Sequence, residues 1–174
     1  MTAAEEAERV IPVITLLARR HPGALLSVDT RRAEVALAAL DAGAAIVNDV
    51  SAASDPDMLP AVAKAGAAII LMHMRGEPAT MQADTAYTDV VAEVHAHLGD
   101  RARAAEAAGV APDRVLLDPG IGFGKDLDGN LRLLAAVSDL GMQGYPVVVG
   151  ASRKSFIHRL PGSEDMQDIF PNFF

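Results

Sequence analysis

The sequence contains no cysteine, so disulfide bonds, thiolate metal sites and a cysteine nucleophile are all excluded. Aromatic residues make up only 4% of the chain, whereas 51% of its residues are hydrophobic, so a core must be mainly aliphatic and alanine. No apolar run approaches the ~20 residues that cross a bilayer, and the N-terminus lacks the basic-then-apolar order of a signal peptide. These absences predict a soluble, cytoplasmic protein with no membrane partner.

Positive charge is also scarce, with 15 Lys and Arg against 23 Asp and Glu and a net charge of -8. Nucleic acids and anionic membranes are bound by clustered Lys and Arg, so the composition argues against both as partners. A small anion is still compatible, because a local basic cluster is enough to hold it. The length of 174 residues suits a single domain with a real core.

Short aliphatic segments alternate with helical ones, and no hairpin signal joins them. Strands are predicted over residues 25–28, 45–50, 67–72, 115–118 and 146–149. Helices are predicted over residues 3–21, 31–41, 55–65, 87–108 and 127–142. A capping box of Thr2 and Glu5 starts the first helix, Pro12 should kink or restart it, and Thr30 can cap the second. This alternation means parallel strands with crossover helices, and both a doubly wound sheet and part of a (β/α)₈ barrel fit it.

The most distinctive stretch, residues 115–125, reads Val-Leu-Leu-Asp-Pro-Gly-Ile-Gly-Phe-Gly-Lys. Its apolar run ends at Asp118, which places a carboxylate at the C-terminal end of a buried strand, where α/β proteins gather their ligands. The three glycines that follow allow a ligand or another backbone to come close. Lys125 adds a positive charge at the far end of the loop.

Neither common nucleotide motif fits this loop. A dinucleotide-binding spacing would need glycine where Lys125 stands, and a P-loop would need Ser or Thr where Asp126 stands. A histidine metal site is not predicted either. His95 and His97 are two apart on a predicted helix, so their side chains diverge, and we interpret them as a solvated helix face.

Polar residues follow nearly every predicted strand. They are Asp29, Asn48, the group His73-Met74-Arg75, Asp118, and the run Ser152-Arg153-Lys154-Ser155. Because the ends of parallel strands face the same way, these residues should surround one cleft. Two carboxylates and an amide suit a flat heterocycle with several N–H donors, and a basic helix start suits an anion. Taken alone, Asp29 could equally cap a helix and Asn48 could equally satisfy a turn.

Together, these stretches resemble the dihydropteroate synthase family. They are residues 27–30, 46–50, 71–76, 118–125 and 150–155, in the order that the family has them. The likeness covers about residues 5–160. It implies a partial (β/α)₈ barrel of five parallel strands, equivalent to family strands 3–7. It also implies a folate-pathway transferase that joins 6-hydroxymethyl-7,8-dihydropterin diphosphate to p-aminobenzoate, giving 7,8-dihydropteroate and pyrophosphate.

The resemblance implies roles for individual residues by position. Pterin binding is implied for Asp29, Asn48 and Asp118, with Met72 and Gly150 lining the ring. Lys154 matches a lysine between pterin and aminobenzoate, and with Arg153 it forms the predicted catalytic pair. Phe123 and Ser155 match residues near p-aminobenzoate. The family's Mg²⁺ is expected as cofactor, although the segment that usually holds it is absent here. No residue of this chain is predicted as a metal ligand, and a homodimer is expected.

Compared with the family, this chain lacks the first two strands and the eighth, and residues 161–174 diverge. We interpret it as a truncated or frame-shifted product, with a pterin-binding barrel fragment over residues 1–160 and a divergent tail. Pterin binding with weak or absent turnover is the expected behaviour. Two alternatives remain open, a non-catalytic pterin-binding or oligomerising fragment and a methyltetrahydrofolate-binding methyltransferase domain.

Overall fold

The computed structural model of the protein describes residues 1–76, 80–81, 83–141, 144–152, 154 and 156–157. The strands are β1 Ser27–Asp29, β2 Ile46–Asp49, β3 Ala68–Met72 and β4 Val115–Asp118. The helices are α1 Ala3–Arg20, α2 Ala33–Asp41, α3 Met58–Ala65, α4 Val90–Ala107, α5 Leu127–Ala135 and α6 Val137–Gly141. A 3₁₀ turn, Pro112–Arg114, precedes β4.

The four strands form one parallel sheet in the order β1-β2-β3-β4. A doubly wound sheet reverses its strand order at a switch point, whereas a barrel adds each strand beside the last, so this order fits a sector of a barrel. The fifth predicted strand is reduced to a parallel bridge between Leu117 and Val147. Pro146 has no N–H to give to the ladder and contributes only its carbonyl, 2.9 Å from the Leu117 nitrogen.

The core is aliphatic and alanine-rich, as the composition predicts. Its fully buried large side chains include Val35, Val47, Val62, Ile69, Leu71, Leu98, Leu117 and Leu133. These come from strands and helices alike, so the helices cover a sheet whose strands are themselves buried. In the part of the chain that the structure describes, no helix is long and apolar enough to cross a membrane.

Two predictions about helix starts have different outcomes. The capping box of Thr2 and Glu5 is present. Pro12 is expected to kink or restart the first helix, and α1 continues through it without restarting. Thr30 does not cap α2, which begins after Arg32. Its hydroxyl instead donates to Glu6 Oε1 at 2.5 Å and accepts from the Arg32 nitrogen at 3.2 Å, which ties α1 to the end of β1.

The N-terminus of α2 is capped from a distance. The Ala33 nitrogen donates to Asp55 Oδ2 at 2.9 Å, and Asp55 Oδ1 accepts from the Asp57 nitrogen at 3.0 Å just before α3. The Asp55 carboxylate therefore accepts backbone N–H groups at the starts of both α2 and α3. The helix predicted over residues 127–142 is two helices, because Ala136 leaves the helical region with ψ at 12°.

Candidate functional site

A cleft of about 190 Å³ lies at the C-terminal ends of the strands. Its lining includes the predicted site residues Asp29, Asn48, Met72, Asp118, Phe123, Gly150 and Lys154. Val50, Gly120 and Ile121 also line it and were not predicted as ligand contacts. Arg153 and Ser155 lie outside the described residues. The volume is below the ~300–1,000 Å³ typical of drug-sized ligands, so the cleft has room for a small ring system.

Strand register places the polar residues side by side. Asp29 of β1 pairs with Asn48 of β2, and Met72 of β3 pairs with Asp118 of β4. Asn48 Nδ2 donates to Asp29 Oδ2 at 3.0 Å. Asp29 Oδ1 and Asn48 Oδ1 take no part in this bond, so both oxygens can accept N–H groups of a ligand.

Asp118 is the buried carboxylate of the cleft, with only 9% of its surface exposed. Its Oδ1 accepts the Gly120 N–H at 2.7 Å. Burial raises the pKa of the Asp118 carboxyl, while the Gly120 N–H and the charges of Lys154 and Lys125 oppose that rise. Among the described residues this buried carboxylate accepts the Gly120 N–H, and its other oxygen suits a ligand that brings further N–H donors.

Lys154 and Phe123 form one wall of the cleft. The Lys154 Nζ lies over the Phe123 ring, 4.1 Å from its centroid. Burial lowers the pKa of Lys154, and the Asp118 carboxylate opposes this. The wall therefore offers a cation and an aromatic face at the same point, which suits an anionic or aromatic ligand group.

The glycine loop, residues 118–125, is shaped by close backbone approaches. Gly120, Gly122 and Gly124 have φ of 66°, 83° and 63°, in the left-handed region. A Cβ on Gly120 would overlap the carbonyl oxygen of His73, and one on Gly124 would lie 3.0 Å from the carbonyl oxygen of Arg75. The predicted close approach of another backbone is therefore confirmed at Gly120 and Gly124, whereas the atom nearest to a Cβ on Gly122 would be Cδ of the Lys154 side chain, at 2.9 Å.

Lys125 is not the free positive charge that the sequence suggests. It is 3% exposed, and its Nζ donates to the carbonyls of His73, Gly120 and Phe123 at 3.3, 3.0 and 2.8 Å. Burial lowers the pKa of Lys125 to about 7, while the Asp118 carboxylate opposes the shift. The side chain braces the glycine loop from inside, a role that nothing in the spacing of the residues predicts.

Asn130 on α5 is a second internal brace that sequence reasoning missed. Its Oδ1 accepts the Gly122 N–H at 2.6 Å, and its Nδ2 donates to the carbonyls of Lys125 and Asp126 at 3.2 and 2.6 Å. It is 1% exposed. The only signal was an amide one turn into a helix that directly follows the glycine loop.

Arg75 anchors the segment after β3 and does not line the cleft. Its Nη2 lies 2.8 Å from Glu93 Oε2 on α4, and its guanidinium carbon lies 3.7 Å from the centroid of the Tyr87 ring. The Tyr87 hydroxyl donates to the Gly124 carbonyl at 3.0 Å. The Arg75 side chain thus fixes the segment after β3 against the glycine loop.

The histidines are also structural here. His73 is buried, and burial together with the charge of Lys125 lowers its pKa to about 3, so the ring is neutral. The ring of His97 meets it edge-on, with centroids 5.1 Å apart. His97 is exposed, as the interpretation of a solvated helix face expects, but its ring also packs against His73.

The described residues offer no large cluster of metal-ligating side chains. Within them there is no group of three or more His, Cys, Asp or Glu side chains placed to bind a metal ion. We therefore assign no described residue as a ligand of the Mg²⁺ that the resemblance implies.

Comparisons with known proteins agree on one family. A protein-family model described as "Pterin binding enzyme" matches residues 1–169. The dihydropteroate synthase of Synechocystis sp. is 44% identical over 165 residues, which are 94% of this chain and 57% of that protein. The chain spans about half the length of the curated relatives it matches.

Solved structures extend this likeness to the fold. Dihydropteroate synthase from Xanthomonas albilineans in complex with 7,8-dihydropteroate matches with a TM-score of 0.84 and 45% identity, over 93% of this chain and 58% of that one. Dihydropteroate synthase from Thermus thermophilus in complex with 6HMPPP matches with a TM-score of 0.81 and 44% identity, over 92% of this chain and 60% of that one. The four parallel strands are therefore a sector of a (β/α)₈ barrel.

Proposed function

The chain belongs to the pterin-binding enzyme family, and from that premise we propose that its cleft binds a pterin ring. The observation that carries the proposal is the row of acceptors at the strand ends, Asp29, Asn48 and the buried Asp118. A carboxylate can accept two adjacent N–H groups of an aminopyrimidinone edge, and an amide can match a donor or an acceptor. Met72 and Gly150 line the ring.

The proposed reaction is that of dihydropteroate synthase. The C–O bond between the pterin methylene and the diphosphate breaks, a C–N bond to the amine of p-aminobenzoate forms, and the amine loses a proton. Departure of pyrophosphate from a methylene beside an electron-rich pterin can run ahead of amine attack. The protein then mainly orients the amine and holds the leaving anion.

We assign the roles around this reaction by position. Lys154 and Arg153 hold the anionic side of the pterin substrate, and Phe123 and Ser155 contact p-aminobenzoate. The support for Lys154 and Phe123 is their contact at the cleft wall. Arg153 and Ser155 rest on the sequence resemblance alone. Mg²⁺ is the family's expected cofactor, but no proposed step uses it.

The remaining parts of the proposal concern the chain as a whole. We place the pterin-binding unit at residues 1–160, in the cytoplasm and as a homodimer. Residues 161–174 lie outside the described residues. Size-exclusion chromatography with light scattering tests the assembly, and a stable monomer at micromolar concentration contradicts the homodimer.

Calorimetric titration with 6-hydroxymethylpterin diphosphate tests the ligand. Wild type should bind at one site, and Asp118→Asn should weaken binding on the order of 100-fold, because charge-assisted hydrogen bonds contribute about 1.5–3 kcal/mol each. The matched control is Asp113→Asn, an exposed carboxylate at the opposite end of β4, which should bind like wild type. A folded wild type that binds no pterin contradicts the proposal.

Two further measurements separate the alternatives. Formation of 7,8-dihydropteroate and release of pyrophosphate on adding p-aminobenzoate identify the transferase, whereas binding without either product identifies a binding unit. Displacement of the pterin diphosphate by methyltetrahydrofolate at a lower concentration would favour the methyltransferase alternative.

A further inference from the structure

The segment that follows β2 turns around a buried carboxylate. Within this alanine loop, residues 49–53, Asp49 has no exposed surface. Its Oδ1 accepts from the nitrogen and the hydroxyl of Ser51 at 2.7 and 2.6 Å, and its Oδ2 accepts from the Ala53 nitrogen at 3.1 Å. The carboxylate therefore holds the loop from inside.

The backbone of this loop is strained. Ala52 and Ala53 have φ of 52° and 59°, which is the left-handed region that residues with a Cβ seldom adopt. Both are buried, at 2% and 4% exposure. Two consecutive left-handed alanines persist only where surrounding contacts over-determine the conformation.

A side chain from a distant helix supplies such contacts. Arg101 of α4 donates from Nε to the Ala52 carbonyl at 2.7 Å and from Nη2 to the Ala53 carbonyl at 2.8 Å. The planar guanidinium can bond both carbonyls at once, which a point charge on a flexible stem does less well. Arg101 is not among the residues that line the cleft.

The alanine loop controls two residues that do line the cleft. Asn48 precedes Asp49 and Val50 follows it, and both face the cleft while Asp49 is turned away into the buried hydrogen-bond network. Any relaxation of Ala52 and Ala53 toward ordinary φ would rotate the chain immediately after Val50. The orientation of the Asn48 side chain toward a ligand therefore depends on contacts made outside the cleft.

We propose that Arg101 and Asp49 are positioning residues, which lock the alanine loop in its left-handed form and so aim Asn48 and Val50 into the cleft. The identity of the ligand rests on the proposed function, but the geometric part does not. The test uses Arg101→Met, with Arg103→Met as the matched control. Arg103 lies on the same helix and forms an exposed ion pair with Asp100.

Two measurements are made on the full chain. In NMR spectra without ligand, Arg101→Met should shift the Asn48 side-chain amide and speed hydrogen exchange at the Ser51 and Ala53 amides. In titrations with 6-hydroxymethylpterin diphosphate it should bind on the order of tenfold more weakly, the effect of about one charged hydrogen bond. Arg103→Met should change neither signal nor affinity.

Each outcome decides the inference. Unmoved Asn48 signals in Arg101→Met, or wild-type affinity, would overturn it. If wild type itself binds no pterin, the proposed function fails and the NMR comparison alone decides the positioning role. If Arg101→Met does not fold, Arg101→Lys carries the same comparison. Lysine keeps the charge without the planar fork, so a shift of the Asn48 signals away from their wild-type positions supports the inference and an unmoved signal contradicts it.

Discussion

The glycine loop and the alanine loop both turn sharply at the rim of the cleft, but their backbones reach this shape in different ways. In the glycine loop the left-handed positions are glycines, which adopt them without steric cost. In the alanine loop Ala52 and Ala53 keep their Cβ atoms, at roughly 1–2 kcal/mol per residue. The glycine loop thus has residues that adopt its left-handed turns freely, whereas the strained backbone of the alanine loop depends on hydrogen bonds to its own Asp49 and from Arg101 of α4.

Gly120→Ala should break the glycine loop and have the largest effect on stability. The new Cβ would overlap the His73 carbonyl oxygen, so backbone must move as well as adopt an unfavourable φ. We expect a loss of at least about 3 kcal/mol in the free energy of unfolding, measured by urea denaturation. Gly144→Ala is the control, since its φ is 89° but nothing lies within 4 Å of its Cβ position. Equal losses in the two variants would mean that the contact with His73 is irrelevant.

The two buried carboxylates, one in each loop, should respond differently to the same substitution. Asp49→Asn should destabilise by about 2–3 kcal/mol, because an amide cannot accept the hydrogen bonds on both sides that Asp49 accepts. Within the described part of the chain, Asp118 accepts one N–H, that of Gly120 on Oδ1, so Asp118→Asn should leave stability unchanged or raised at pH 7. The measurement is urea denaturation of both variants, and a similar loss in both would contradict the comparison.

The pH dependence of the free energy of unfolding tests the pKa of these two carboxyl groups. Burial raises the pKa of both Asp49 and Asp118 above the ordinary value. The folded state then binds protons more readily than the unfolded one. The stability that each carboxyl group gains from this difference is fully present below the unfolded pKa and is lost as pH rises through the folded pKa. Between about pH 4 and neutrality, Asp118→Asn should therefore show a smaller fall in stability than wild type. An unchanged slope would contradict the raised pKa.

Lys125→Met should lower the free energy of unfolding by about 2 kcal/mol. Three carbonyls of the glycine loop and its neighbour His73 lose a hydrogen-bond donor, which outweighs the removed cost of burying a charge. The pKa of Lys125 is lowered to about 7, so the unfolded state binds more protons above that pH. Wild-type stability should thus rise between about pH 7 and the unfolded lysine pKa of about 10.5. Urea denaturation at pH 7 and pH 9 should show this rise in wild type and in the exposed control Lys64→Met, but a smaller one in Lys125→Met.

The sequence predicted the parallel α/β architecture and most of the cleft, because both follow from local signals. Strand ends are marked by Asp29, Asn48 and Asp118, and parallel strands bring such ends together. The order of the strands, and so the choice between a barrel and a doubly wound sheet, depends on pairing between distant segments. From the sequence, only the resemblance to a family indicated a barrel rather than a doubly wound sheet, and the strand order agrees with it.

The residues that hold the two loops from inside could not be predicted from the sequence, because their roles depend on burial and on hydrogen bonds between distant segments. Lys125 looked like an accessible charge, and its three carbonyl partners come together only when the glycine loop folds back on His73. Arg101 reads as one more charge on a polar helix face, with its partners about 50 residues away in sequence. Thr30 is a residue type that often caps helices, but its hydroxyl donates a hydrogen bond to Glu6 instead.

Ala53→Gly should have the smallest effect, and it sharpens the contrast between the loops. Glycine removes roughly 1–2 kcal/mol of left-handed strain but loses a buried methyl of about 0.8 kcal/mol and adds unfolded-state freedom of about 0.5–1 kcal/mol. These opposing terms should leave the free energy of unfolding within about 1 kcal/mol of wild type. Ala39→Gly is the matched control, because Ala39 is buried in α2 without strain to relieve, and should cost about 2 kcal/mol. If both variants lose the same stability, the alanine loop is not strained, and what distinguishes the two loops is their residues alone.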